Sequence, residues 1–513
     1  MFKIINPNTA AELIPDHATI AIGGGGAGHA VPDRIMRAIG EQYQERGHPR
    51  QLKVVHPCGL GDNDQRGLNH FAHEGLVRLA IGGFWGNAPK MVDLAKAEKL
   101  EGYNFPQGVL SQSMRASASG KPGVITKVGL HTFVDPRLEG GKINGITKDD
   151  LVHLIQIKGE DYLFYEAHQI EYAIIRGTSI DSEGNLTMEE EVGFFAMLSI
   201  AQAAKVNGGT VIAQVKKINT GHADPGHVKV PGALIDYIVQ DETQEMTFIS
   251  KFDEALVKRD VPYTKEDLQL QGPKKVISRR AARELFQGAF VNLGYGMADG
   301  VPIVAQQEEF DRSLVFMIEQ GATGGIPTTG LNFGAMYNPG SIVDDAYQFD
   351  YFHGGGLDLA FLGFAQVDKH GNVNSSRFGN KLTGCGGFID ISQNAKRVVF
   401  CGTFAVKADI EVTDDALRIN HSGKFNKFID AVEQVTFSAD YARQKQQEVL
   451  YVTERAVFRL VADGLELIEM APGADLQADI LDRMDFKPLI SNRLRSFDTE
   501  VFSGEAINKG NHD

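Results

Sequence analysis

AIIRGTSIDSEGNL, from Ala173 to Leu186, and AFLGFAQVDKHGNV, from Ala360 to Val373, are two versions of one phrase, an apolar run of strand type closed by an Asp-x-x-Gly-Asn turn. A second pair precedes them in the same order. AIGGGGAGHAVP ahead of Asp33 and NLGYGMADGVP ahead of Ile303 each give a strand end, a glycine-rich turn and a Val-Pro where a helix can begin. The spacing between the two pairs differs, so insertions separate them. Asp-x-x-Gly-Asn is ordinary turn chemistry and recurs by chance; two matches in one order favour an internal duplication.

Working outward, short apolar runs alternate with helical patterns: ATIAIG (18 to 23), the amphipathic PDRIMRAIGEQYQERG (32 to 47), LKVVHP (52 to 57), VRLAIGGF (77 to 84) and MVDLAKAEKL (91 to 100). SRRAARELFQGAFVNLG restarts the pattern in the second half, and SLVFMIEQG, LDLAFLGFAQVD and RVVFCGTF supply further strand candidates. This βαβα rhythm predicts an α/β protein of two similar open α/β domains in tandem. The expected domains are residues 1–220 and 276–513. The charged, proline-containing stretch 221–275 is expected to connect them, with GALIDYIVQ as its one obvious strand.

A chain of 513 residues exceeds one ordinary core. With 51 Lys and Arg against 66 Asp and Glu, the net charge is −15 and no basic tract exists, which removes the electrostatic drive for nucleic acid or an anionic membrane. No run approaches the ~20 apolar residues of a spanning helix. The opening MFKIINPNTAAELIPDHAT turns polar too early for a secretory signal, so a cytoplasmic location is expected. Cys58, Cys385 and Cys401 have neither CxxC nor CxxH spacing, and no HxxxH or HExxH occurs, so no metal site is encoded.

Gly23, Gly25 and Gly28 satisfy GxGxxG after an apolar strand, but the next strand ends in His56-Pro57 where a dinucleotide site wants an acid for the ribose. A glycine loop approaching some other ligand stays open. Glu319 follows LVFMI and precedes QGATGGIP, which puts a carboxylate at the expected carboxyl end of a buried strand, where open α/β sheets bind ligands. In GCGGFIDIS, Gly384, Gly386 and Gly387 precede a strand-like segment, and consecutive N–H groups there can form a nest for an anion or oxyanion. Cys385 has no His near it in sequence and reads more readily as a small buried thiol than as a nucleophile. Asn104 and Gln107 in NFPQGVLSQ are amides able to bond a carboxylate or carbonyl, or simply to be solvated.

These residues carry a family likeness. Over nearly its whole length the chain resembles the family I CoA-transferases, most nearly the long single-chain acetate or propionate type, through FAHEGLVRLAIGGFWG, YNFPQGVLSQ, KPGVITKVGLHTFVDPR, GGGLDLAFLGFAQVD, GCGGFIDI, FCGTF and DGLELIEMAPGADLQADILDRMDF. The resemblance implies that the Glu-x-Gly motif at Glu319 to Gly321 holds the catalytic glutamate. It implies that Asn292, Gly294 and Gly296, with Gly321 and the loop Gly384, Cys385, Gly386 and Gly387, border CoA. It places the first glycine loop, Gly24, Gly25 and Gly26, and Gln107 at the acyl or carboxylate end. Gln320 fills a variable position, and His29 stands where relatives differ. CoA then enters as substrate and covalent intermediate, no cofactor is tightly bound, the partners are acyl-CoA and short-chain carboxylates, and the assembly is a homodimer or homotetramer. Two other readings remain open on this pattern: an acyl-CoA hydrolase on the same fold, and a non-catalytic acyl-CoA-binding module.

Overall fold

The computed structural model describes residues 2–263, 270–310 and 313–504. Its first sheet has the spatial order Lys3–Ile5, Tyr237–Gln240, Thr210–Ile218, Tyr172–Ile180, Thr19–Ile22, Leu52–His56, Val77–Gly82, Glu101–Asn104, all paired parallel. Its second runs Val315–Phe316, Phe290–Leu293, Leu359–Gly363, Arg397–Cys401, Glu448–Val452 in parallel, then Ala456–Val461, Gly464–Met470 and Leu489–Ser496.

Five strands of each sheet share one topology. Taken in chain order, those beginning at Thr19, Leu52, Tyr172, Thr210 and Tyr237 lie in space as second, first, third, fourth, fifth. Those beginning at Phe290, Val315, Leu359, Arg397 and Glu448 do the same. Even the register repeats: Thr210 pairs with Tyr172 as Arg397 pairs with Leu359. The expected pair of similar α/β units is therefore what the chain forms, and the turn that announced it is duplicated bond for bond. Asp181 Oδ1 accepts from the N–H groups of Glu183 and Asn185 at 2.9 and 2.8 Å, and Asp368 Oδ1 from those of His370 and Asn372 at 3.0 Å each.

Parallel strands buried on both faces need continuous apolar runs, and Ala173 to Ile180 is buried throughout. Helices Asp33–Arg46 and Pro89–Lys96 cover one face of the first sheet through Ile35, Met36, Ile39 and Met91. Gln107–Ala118 and Met197–Val206 cover the other through Val109, Leu110, Met114 and Ile200. In the second sheet Gly272–Ala282 and Val301–Gln307 take one face, Asp345–His353 and Phe388–Ser392 the other.

Two expectations need correction. Residues 221–275 are not all connection: Val228–Val230 and Tyr237–Gln240 pair into the first sheet, and Gly272 already begins a helix of the second unit. The strand-like FIDIS is a helix, Phe388–Ser392, in which the Ile391 N–H donates to Gly387 O at 3.0 Å. Its alternation has a tertiary cause, since Ile389 packs into the first unit's core and Ile391 into the second's. No helix among the described residues is long and apolar enough to cross a membrane.

Candidate active site

The two units meet around a cavity of about 550 Å³. In the second unit it opens at the carboxyl ends of the first and third strands in chain order, where strand order reverses and open sheets bind ligands: Gly294 and Gly296 follow Phe290–Leu293, and Gly363 and Phe364 follow or end Leu359–Gly363. From the first unit come Gly26, Cys58, Gly59 and Gln107.

Glu319 lines this cavity. It stands two residues past Met317, which bridges to Thr323, in a turn closed by the Gly321 N–H donating to Ile318 O at 3.1 Å, so the strand stops short of it. The turn needs glycine at 321: φ is 107°, and a Cβ would lie 2.0 Å from Val343 O. The Glu319 side chain is only 8 % exposed, and its Oε2 has no hydrogen-bond partner. Burial pushes the carboxyl above its ordinary range; its own backbone N–H and the amides of Asn292 and Gln320 pull the other way, and Asp390 adds to the rise. Asn292 is fully buried, donates from Nδ2 to Met317 O at 2.9 Å, and so ties its strand to the segment that presents Glu319.

Gln107 and Asn104 are buried rather than solvated. The Gln107 Nε2, a neutral donor, has no partner among the described residues, and Gln107 lines the cavity. Asn104 is fully occupied elsewhere: Nδ2 donates to Gly82 O at 2.9 Å and Gly83 O at 2.6 Å, while Oδ1 accepts from the Cys385 N–H at 2.9 Å.

That last bond changes the reading of the 384–387 loop. The Gly384 N–H donates to Ser376 O at 3.1 Å and the Gly386 N–H to Gly83 O at 2.8 Å, leaving Gly387 as the one N–H of the four without a partner among the described residues. An anion nest is therefore not formed. The loop is a strap between the units, reinforced by the Gln107 N–H donating to Gly386 O at 2.9 Å and those of Trp85 and Gly86 to Thr383 O at 2.8 and 2.9 Å. Glycine at 384 permits the approach, since a Cβ there would meet Asn104 Nδ2 at 2.8 Å. Gly384, Cys385, Gly386 and Gly387 all still face the cavity. Burial pushes the Cys385 thiol well above its usual range, which disfavours the thiolate that a nucleophile needs.

Of the expected residues, Gly26, Gln107, Asn292, Gly294, Gly296 and Glu319 line the cavity together with this loop, whereas Gly24, Gly25 and Gly321 do not. Gly25 instead exchanges backbone bonds with His29 at 2.8 and 2.9 Å. Sequence reasoning missed Cys58 and Gly59. They are turned inward by His56, whose Nδ1–H donates to Cys58 O at 2.9 Å and whose burial lowers its pKa to about 4; the His-Pro-Cys-Gly after a strand was the available signal. It also missed Lys427. Among the lining residues only Glu319 and Lys427 carry a formal charge.

Residues 5–241 match the Coenzyme A transferase family. Over 98% of its length the chain is 42% identical to the acetate CoA-transferase YdiF of Escherichia coli (strain K12), covering 96% of that protein. Over an equal share it is 42% identical to the caffeate CoA-transferase of Acetobacterium woodii, covering 98% of it. The crystal structure of acyl-CoA transferase YdiF from E. coli O157:H7, a thioester complex with CoA, matches with a TM-score of 0.93 at 41% identity, covering 98% of this chain and 96% of that one.

Proposed function

Because this chain belongs to the coenzyme A transferase family, we propose that it moves CoA from a short-chain acyl-CoA to a free carboxylate such as acetate or propionate, through a covalent intermediate on Glu319. The observation that carries this reading is the single carboxylate in the cavity wall, its Oε2 unpartnered, sharing the cavity with the equally unpartnered Gln107 Nε2.

The Glu319 carboxylate oxygen attacks the thioester carbonyl; the C–S bond breaks, CoA thiolate leaves, and an acyl-glutamyl anhydride remains. The thiolate attacks the glutamyl carbonyl of that anhydride, breaking its C–O bond, so the first carboxylate departs and glutamyl-CoA is left. The second carboxylate repeats these steps in reverse. No bond energy is lost to water, so the reaction balances without ATP, and CoA enters as substrate. Gln107 Nε2 supplies a hydrogen bond to the developing oxyanion, a role for which the 384–387 loop has only the Gly387 N–H left, its other three being taken. Burial matters twice, excluding water from the anhydride and thioester and keeping the nucleophile poorly solvated.

A short acyl group is favoured because the cavity must also admit the pantetheine arm. The test is CoA transfer from propionyl-CoA to a panel of acetate, propionate, butyrate and caffeate. We expect kcat/KM to be highest for an aliphatic acid of two to four carbons, and a caffeate value above all of these would overturn the short-chain assignment. Free thiol released equally fast without any carboxylate would indicate a hydrolase instead. The family reading also carries a homodimer or homotetramer, which sedimentation velocity reports directly.

The raised pKa of Glu319 has a kinetic sign. Only the carboxylate attacks, so activity is present above its pKa and lost as pH falls through it. The acid limb of kcat/KM, which reports the free enzyme, should lie above the ordinary glutamate value of 4.5. A limb at or below that value would mean that burial does not govern this group.

A further inference from the structure

Lys427 lies between the short strands Phe425–Asn426 and Phe428–Ile429, and the second of these runs parallel to Gln366–Asp368. Its Nζ donates to Phe364 O at 3.3 Å and sits 4.9 Å from the centroid of the Phe364 ring. Glu454 is the acid that acts on it, yet that fully buried carboxylate already accepts from the Phe404 N–H at 2.9 Å and from Arg455 Nε at 3.1 Å. An ammonium has three hydrogens to donate, and one carbonyl takes one of them. A cation set against the Phe364 ring, in a cavity wall that also holds Leu362 and Phe388, is costly unless an anion joins it. The cost registers in its pKa, which burial pushes down to about 8.

Its place in the sheet separates it from the reacting carboxyl. Glu319 follows the strand Val315–Phe316, Phe364 follows Leu359–Gly363, and Phe290–Leu293 lies between them. Two strand spacings of 4.7–4.9 Å therefore separate, by about 10 Å across the sheet, the strand leading to Glu319 from the strand leading to the Phe364 carbonyl that Lys427 bonds. An acetate or propionate bound for attack at Glu319 does not span that distance. CoA carries its phosphates at the far end of the pantetheine arm from the sulfur, so they are the anions of this substrate that stand away from the reacting carbon.

Resting on the transfer reaction above, we infer that Lys427 receives a phosphate group of coenzyme A as a charge-assisted hydrogen bond. The cavity then holds its substrate by two opposite charges, an anion that attacks the acyl carbon and a cation that anchors the nucleotide end. CoA offers two sources of that chemistry, the diphosphate and the 3′-phosphate.

The experiment compares wild type with Lys427→Met and Lys427→Arg on acetyl-CoA, acetyl-3′-dephospho-CoA and acetyl-pantetheine. For Lys427→Met, kcat/KM on acetyl-CoA should fall about 10- to 100-fold, the range of a hydrogen bond to a charged group. Arginine should restore most of it. The fall persisting on the dephospho substrate but vanishing on acetyl-pantetheine identifies the diphosphate; vanishing already on the dephospho substrate, it identifies the 3′-phosphate. An equal fall on all three thioesters would mean that Lys427 only supports the fold, and a fall confined to the KM for the carboxylate would mean that it meets the acceptor; either overturns the inference. Calorimetric Kd values for CoA and 3′-dephospho-CoA need no turnover. They keep a failure of this inference distinct from a failure of the transfer reaction, which would show as wild-type enzyme that binds CoA and transfers nothing.

Discussion

Glu319→Gln should fold like the wild type and lose about four orders of magnitude or more in transfer, the scale seen when a catalytic nucleophile is removed. Folding is expected to survive because the amide replaces a buried carboxyl whose Oε2 has no partner. Transfer should not survive, because a neutral amide is a poor nucleophile and cannot form the anhydride. Wild-type enzyme incubated with acetyl-CoA and no acceptor should gain a hydroxylamine-sensitive CoA adduct on the peptide containing Glu319, and the variant should gain none. Glu319→Asp keeps the charge but withdraws it by one methylene. A misplacement of about 1 Å costs roughly a hundredfold, so Asp should fall between the two. Normal turnover in Glu319→Gln, with reversion by deamidation excluded by mass, would remove this residue from the chemistry.

The duplicated architecture was legible because its mark is local. Asp181 and Asp368 each fold their own following turn through side-chain bonds to the backbone two and four residues on, and such bonds leave an imprint in sequence. Glu319 was legible for a similar reason: an apolar run, an acid and a glycine at a positive φ are all neighbours. What escaped depended on partners far away in the chain. FIDIS alternates because it lies between two cores, so a period of two arises in a helix. The Gly384 to Gly387 loop looked like a free nest because the acceptors that occupy its two central N–H groups, Gly83 O and Asn104 Oδ1, belong to the other unit. Lys427 carries no motif, and only the walls around it make it distinctive.

Asn104→Asp tests whether that strap, rather than the glutamate alone, forms the site. The wild-type side chain is 1 % exposed and makes three hydrogen bonds that join Gly82 and Gly83 to the Cys385 N–H. A carboxylate keeps the acceptor but turns an oxygen toward two carbonyl oxygens that expect donors. Two lost donors at about 1 kcal/mol each, with the desolvation of the new group, give a loss of about 3 kcal/mol or more. In a domain of this size that lowers the Tm by about 6–12 °C. The penalty has a pH sign. Burial raises the folded pKa of the new carboxyl above the unfolded value of about 3.9, so the destabilisation relative to wild type is greatest at neutral pH and shrinks as pH falls toward that value. Function should fail with it, because Gln107 is aligned through its own N–H to Gly386 O at 2.9 Å in the same strap. We therefore expect slower formation of the Glu319 adduct from acetyl-CoA even at temperatures where Asn104→Asp is folded. A variant with unchanged Tm and an unchanged rate of adduct formation would show that the units are held in register by the Ser111–Asp345 and Arg115–Asp350 contacts, at 2.6 and 2.8 Å, without help from the strap.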